Sequence, residues 1–262
     1  MYMTYKGTKK NNDTQSARVE KKMLEITKKE IVLLQEILAK RGFVLKESIL
    51  LDIGGGIGRM AYPLSILAKK VIMVENFPND FQQARELYEK VEHGDLTIKQ
   101  EGFLDLSLDE NSVDIAVSFN DPFNYLLTTE EQIKALENIR RVLNPGGLVL
   151  IDIQNFYSTT KNYHLPEMMS WEDETFKQSS FISYEIQPIK GIWKQKEHLY
   201  KENLETGEIE HIENIKTLKM ISPSEMHLLL KQTEFETIES FPGVDICESD
   251  DTRIWVVAQK RV

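Results

Sequence analysis

The chain has 262 residues, 41% of them hydrophobic, and a formal net charge of −10. That length and apolar content suit one α/β domain with an elaboration, and the acidic balance disfavours a nucleic-acid partner, whose phosphates it repels. The single cysteine, Cys247, excludes an internal disulfide and a multi-cysteine metal site; no metal-ligand set is read elsewhere, and the lack of a membrane-length apolar run or a signal-peptide core points to a soluble, cytoplasmic protein with no membrane partner.

Residues 1–13 are polar, with Lys6, Lys9 and Lys10 among them and Tyr2 and Tyr5 as exceptions, and read as a loosely ordered tail. Over 14–41 the spacing of Leu24, Ile31, Leu34 and Leu38 predicts an amphipathic helix, stopped by Gly42. Two roles are open for it: packing on the sheet, and capping a bound cofactor. Residues 49–53 are a short apolar run with an acid, Asp52, near the end, as in a buried strand. Gly54, Gly56 and Gly58 follow, and a helix begins near 60. Such glycines allow a tight turn and a close backbone approach, and the free N–H groups of the next helix favour polar or anionic ligand groups. A nucleotide-like cofactor fits this loop. A dinucleotide fingerprint would need its third glycine at position 59, where Arg59 stands, so an NAD-dependent oxidoreductase is disfavoured.

The helix over 60–68 turns Met60, Leu64 and Leu67 inward, with Pro63 near its first turn. A strand over 71–75 ends in Glu75, about where an acid accepts the hydroxyls of a cofactor ribose. Asn79 or Asp80 is read as the cap of a third helix, with Phe81, Ala84, Leu87 and Val91 inward. Strands follow over 96–100 and 112–118. The second leads into 119–127, a loop holding Asn120, Asp121, Asn124 and Tyr125, beyond the C-terminal end of a central strand where open α/β sheets bind ligands. Thr128 with Glu131, or Thr129 with Gln132, fits a capping box. The helix they open buries Ile133, Leu136, Ile139 and Leu143, and Asn144-Pro145-Gly146-Gly147 ends it before a fifth strand over 148–153.

From 154 to 221 the βα rhythm breaks, and alternating runs over 181–186, 191–200 and 209–220 predict a hairpin or small antiparallel sheet. As a lid it would exclude water and carry specificity, with His198, Tyr200 and His211 as its candidate polar groups. Ser222-Pro223-Ser224-Glu225 is a capping box that returns the chain to helix. Strands over 235–241 and 253–259 close the chain.

Asp52-x-Gly54-x-Gly56-x-Gly58 resembles the first motif of class I S-adenosylmethionine (SAM) dependent methyltransferases, and 143–152 resembles their fifth strand with the turn before it. The narrower resemblance is to small-molecule methyltransferases with Gly-Arg-x-Ala-x-Pro-Leu, here 58–64, and Asp-Ser-x-Asn-Tyr-Leu, here 121–126 with Pro122 for serine. Members of that group act on amino sugars, glycine-like amines and sugar hydroxyls. The implied fold is a Rossmann-like, doubly wound seven-stranded sheet, its last strand antiparallel, with an N-terminal helical cap and a small antiparallel β insertion. The implied layout is tail and cap over 1–47, SAM-binding core over 48–155 and 222–262, and inserted lid over 156–221.

The resemblance also implies SAM as cofactor. Asp52, Gly54 and Gly56 would meet its methionyl part, Glu75 the ribose, Asn76, Phe103 and Leu104 the adenine, and Asn120 the sulfonium. The family's Gly-Asp adenine turn is Glu101-Gly102 here, which displaces its acid, and Asp105 reads as a turn residue. The implied reaction is in-line methyl transfer to an oxygen or nitrogen of a small molecule, such as a sugar or secondary metabolite. Asp121, Tyr125, His198 and His211, in that order, are the candidates to accept a proton or orient the acceptor. Amino-sugar dimethyltransferases carry histidine at the Tyr125 position, which leaves the proton acceptor open. Two alternatives stand beside this. Asn120-Asp121-Pro122-Phe123 partly resembles the motif that grips a planar nitrogen of a nucleobase or protein side chain, and the chain could bind SAM without catalysis. A homodimer is allowed for.

Overall fold

The structure, a computed structural model, describes residues 15–161, 166–172, 175–244 and 252–262. The expectations for the tail, including Tyr2 and Tyr5, and for Cys247 lie outside the described residues. Helix α1 (Gln15–Ala39) comes first. Strands β1 (Ile49–Ile53), β2 (Lys70–Val74), β3 (Leu96–Lys99), β4 (Val113–Ser118) and β5 (Leu143–Gln154) then follow, with α2 (Ala61–Leu67), α3 (Pro78–Tyr88) and α4 (Thr129–Val142) between them. After the insertion come α6 (Pro223–Gln232), β10 (Phe235–Pro242) and β11 (Arg253–Lys260). The seven strands lie in the order β10-β11-β5-β4-β1-β2-β3, and β11 runs antiparallel to both its neighbours.

Both faces of the sheet are covered, which is why β1 is apolar at successive positions. Leu50 and Leu51 point to opposite faces because strand side chains alternate. Leu50, with Val71, Met73, Ile115 and Val117, meets Ile31, Leu34, Leu38, Leu64 and Ala84 from α1, α2 and α3. Leu51, with Ile72, Ala116 and Val149, meets Leu136, Ile139, Met226 and Leu230 from α4 and α6. Each fully buried Leu, Ile, Val or Met among them contributes about 1.5–3 kcal/mol.

Both capping boxes form. The Glu131 N–H donates to Thr128 Oγ1 at 3.2 Å, and the Glu225 N–H to Ser222 Oγ at 3.2 Å. Three local expectations are corrected. On α1 the buried stripe includes Ile26 and Ile37, whereas Leu24 is exposed. Helix α3 starts at Pro78 behind Phe77, without a side-chain cap from Asn79 or Asp80, and Val91 lies exposed beyond its end. The Asn144-Pro145-Gly146-Gly147 stretch belongs to β5: Leu143 already pairs with Val113, and the register then shifts to pair Leu148 with Ile115.

The insertion holds α5 (Phe156–Lys161) and a second sheet of β6 (Glu167–Glu172), β7 (Phe176–Gln187), β8 (Ile192–Asn203) and β9 (Ile209–Lys219), paired in sequence and antiparallel throughout. No helix among the described residues is long and apolar enough to cross a membrane.

Candidate active site

The C-terminal ends of β1, β2 and β4 meet at the glycine turn. The N–H groups of Gly54 and Gly55 both donate to Val74 O, at 2.9 and 3.2 Å, which folds the turn back over β2. Gly54 has φ +72°, and a Cβ there would lie 2.5 Å from Pro122 Cβ. Only glycine lets the loop after β4 rest on this turn. Gly56, at φ +58°, has open space on its Cβ side. Glu75, 3% exposed, accepts from the N–H of Gly56 at 2.8 Å and of Phe77 at 2.7 Å. Burial raises its pKa against those bonds.

Asp52 is 1% exposed, and its Oδ2 is buried with no hydrogen-bond partner. Burial pushes its pKa up to about 7; Arg59 opposes this, while Glu75 and Glu30 add to it. An orphaned buried carboxylate oxygen is costly and calls for a cationic or N–H donor. The methionyl ammonium of SAM is such a donor, and the open cradle at Gly56 gives it room, so these residues fit the cofactor. A cation is held only by ionised Asp52. The affinity for S-adenosylhomocysteine (SAH) therefore rises about tenfold between one pH unit below and one unit above that pKa, and Asp52→Asn flattens the profile. Calorimetric titration reads both; an equal slope in the variant would remove Asp52 from this role.

The loop after β4 is strained. Asn120 and Asp121 both have positive φ, +67° and +63°, a conformation costing non-glycine residues about 1–3 kcal/mol each and common at functional sites. Buried partners hold it. The Asn120 N–H donates to Asp152 Oδ2 at 2.7 Å, and Arg253 Nε donates to Asp152 Oδ1 at 3.0 Å. Asp152 has its pKa raised by burial, with Arg253 opposing. Asp121, 2% exposed, faces two cations: Lys216 Nζ at 2.9 Å from Oδ2 and Arg253 Nη1 at 3.5 Å from Oδ1. The Lys216 ammonium also stands 5.7 Å from the Tyr125 ring centre, and Tyr125 meets Phe77 edge-on at 5.6 Å. Burial, and then the charges of Asp121, Asp80 and Glu75, hold the Tyr125 phenol well above its ordinary pKa. It stays protonated and serves as a donor.

Helix α1 is tied to the glycine turn as well as packed on the sheet. Arg59 donates to Thr27 Oγ1 at 2.9 Å and forms an ion pair with Glu30. Glu30 is 3% exposed, and burial raises its pKa against the pull of Arg59.

Other sequence-derived candidates fall as follows. Asn76 is exposed and lies beside Gly102, where an added Cβ would come within 3.1 Å of it. Leu104 is exposed, whereas the Phe103 ring is buried edge-on against Phe123 and its carbonyl accepts from Asn138 Nδ2 at 2.9 Å. Asp105 caps this turn, accepting from the Gly102 N–H at 2.6 Å. Phe123 is fully buried, so it offers no face to a planar acceptor. Asn124 is also fully buried: its Nδ2 donates to Lys219 O at 2.9 Å, pinning the end of β9 to the loop.

His198 is corrected by strand parity. Lys216 pairs with Gln195, and His198 with Glu213, so Lys216 and His198 stand on opposite faces of the lid sheet. His211 stands with His198 on the far face, their ring nitrogens 3.0 Å apart. Sequence reasoning missed Lys216, Arg253, Asp152, Glu30 and Phe77 as site residues. Only Asp152, an acid on a buried strand, carried a sequence signal.

A family model described as a methyltransferase domain matches residues 50–147. No curated protein matches the sequence. Among solved structures, a SAM-dependent methyltransferase from Clostridium acetobutylicum superposes with a TM-score of 0.72 at 14% identity, covering 95% of this chain and 98% of that one. A sugar N-methyltransferase from Streptoalloteichus gives 0.74 at 16% identity, covering 100% and 99%. An amino pentose methyltransferase from Micromonospora echinaspora, solved with SAM bound, gives 0.68 at 16%, covering 97% and 100%. At these identities the structural likeness is one of fold.

Proposed function

We propose that this chain methylates an oxygen or nitrogen of a small molecule, a sugar or secondary metabolite, with SAM as its cofactor; the match of residues 50–147 to a methyltransferase-domain model and the likeness in fold to a SAM-bound methyltransferase support this. The observation that carries this is the roof over the acceptor end: Lys216 of the lid sheet reaches Asp121 and Tyr125 beside the glycine turn. A covered corner suits a compact acceptor, and the net charge of −10 disfavours a polyanion. The likeness to a sugar and an amino pentose methyltransferase supports the same class.

When bound, SAM supplies an electrophilic methyl group on its sulfonium. Asp52, Gly54 and Gly56 would hold its methionyl part and Glu75 its ribose hydroxyls. Asn76, Leu104 and the Phe103 backbone would flank the adenine, and Asn120 would face the sulfonium. The protein's own contribution is orientation of the acceptor. The Tyr125 phenol orients the acceptor by donating to a neighbouring oxygen of it, and Asp121 holds the N–H or O–H of the reacting atom and takes up the proton released, which leaves that atom's lone pair free for the methyl carbon. His198, on the far face of the lid, has no part in this.

A panel of sugars, amines and phenols incubated with SAM, read by mass for one added methyl, tests the proposal. Tyr125→Phe should lower kcat about tenfold on the acceptor found, the effect of losing one orienting hydrogen bond of about 1.4 kcal/mol, with the KM for SAM unchanged. Transfer to protein or nucleic acid, with none to the panel, overturns the small-molecule assignment.

A further inference from the structure

The corner formed by Asp121 and Tyr125 already holds an ammonium group, and that group belongs to the protein. Lys216 Nζ lies 2.9 Å from Asp121 Oδ2 and 5.7 Å from the Tyr125 ring centre. A carboxylate and an aromatic face are the two features that recognise a protonated amine. Asp121 is 2% exposed, whereas the Lys216 side chain is 30% exposed. The acid is fixed, while the lysine reaches in from solvent on a flexible four-carbon stem.

Charge decides what can take the place of Lys216. If a neutral hydroxyl displaced it, buried Asp121 would keep only Arg253, at 3.5 Å. Leaving a buried charge undercompensated is strongly unfavourable. A second ammonium displaces Lys216 with no change in the charge of the corner. We propose that Lys216 is a resident stand-in for the acceptor nitrogen, and that the acceptor is an amine, bound as its ammonium, which enters by displacing Lys216 from Asp121. This rests on the assignment of the corner as the acceptor site above. Lys216 then acts as a specificity residue, since an acceptor without a positive charge competes poorly with it.

The test compares cyclohexylammonium with cyclohexanol, a pair matched in shape. Each is titrated calorimetrically at neutral pH into the full chain saturated with SAH. In Lys216→Met and Lys216→Gln the resident competitor is gone, so cyclohexylammonium binds about tenfold more tightly than to the native chain, as when a site blocked about nine-tenths of the time is freed. Cyclohexanol, freed from the same competitor, gains by a similar factor but stays the weaker ligand in every form that keeps Asp121, and Asp121→Asn abolishes the preference for the amine. An amine affinity that is unchanged or weaker in both Lys216 variants overturns the proposal. So does cyclohexanol binding as tightly as cyclohexylammonium to the native chain or to either Lys216 variant, which would show that the corner does not select a cation. The affinity for SAH, measured first, separates the two levels. If the native chain binds no SAH, the methyltransferase site itself fails. If SAH binds and the amine does not tighten, only the role of Lys216 falls.

Discussion

Glu75→Ala weakens SAM binding about 100-fold. The two ribose hydrogen bonds proposed for this buried carboxylate contribute about 1.5–3 kcal/mol each, and the lower end, about 3 kcal/mol together, is roughly two orders of magnitude in affinity. The same carboxylate also shapes the cradle, because it holds the N–H groups of Gly56 and Phe77. Alanine removes the ribose acceptor and leaves two loop donors without a partner. Glu75→Gln is little better, since its NH2 must face one of those two N–H groups, donor against donor. Calorimetry with SAM and SAH reads the loss. An affinity within threefold of the native chain for either variant would remove Glu75 from the ribose site.

Arg59→Ala costs about 3–5 kcal/mol, because it strips the cation from a buried carboxylate. Glu30 on α1 is 3% exposed, and Arg59 is its ion-pair partner. At about 2–4 °C per kcal/mol for a chain of this size, the melting temperature falls by roughly 6–20 °C. The sign of the pH dependence follows from Glu30, whose folded-state pKa lies above the ordinary value even with Arg59 in place. A carboxyl raised on folding binds its proton more tightly in the folded state. Its effect is least unfavourable below its unfolded pKa and grows as pH rises toward the folded value. Without Arg59 that folded value moves higher, so the deficit of the variant is larger at pH 8 than at pH 5. Glu30→Gln on the Arg59→Ala background removes the orphaned charge and recovers much of the loss. An additive double variant would show that the pair is not coupled. The change also reaches the cofactor site, since Arg59 opposes the raised pKa of Asp52. Its loss moves the rise in SAH affinity to higher pH.

The strand–glycine–helix unit at 49–67, the acid ending β2, both capping boxes and the closing strands β10 and β11 were legible in the chain alone. Each rests on neighbours in sequence: an apolar run, a glycine that permits positive φ, a side chain reaching its own helix N–H. The motif over 121–126 was legible as a string and misleading residue by residue. Asn124 proved to be a buried pin to β9. Alternation in the lid marked two faces on each strand without saying which one looks inward, and only the packed sheet put Lys216 on the Asp121 side and His198 on the other. Lys216 lies 95 residues from Asp121 and Arg253 101 from Asp152. Those contacts follow from the strand order β10-β11-β5-β4-β1 and from the lid folding back over it. Local periodicity reports what an element is, because it is set by backbone geometry. The partner of a buried charge is set by which distant elements close around it, and that was decided by the tertiary structure.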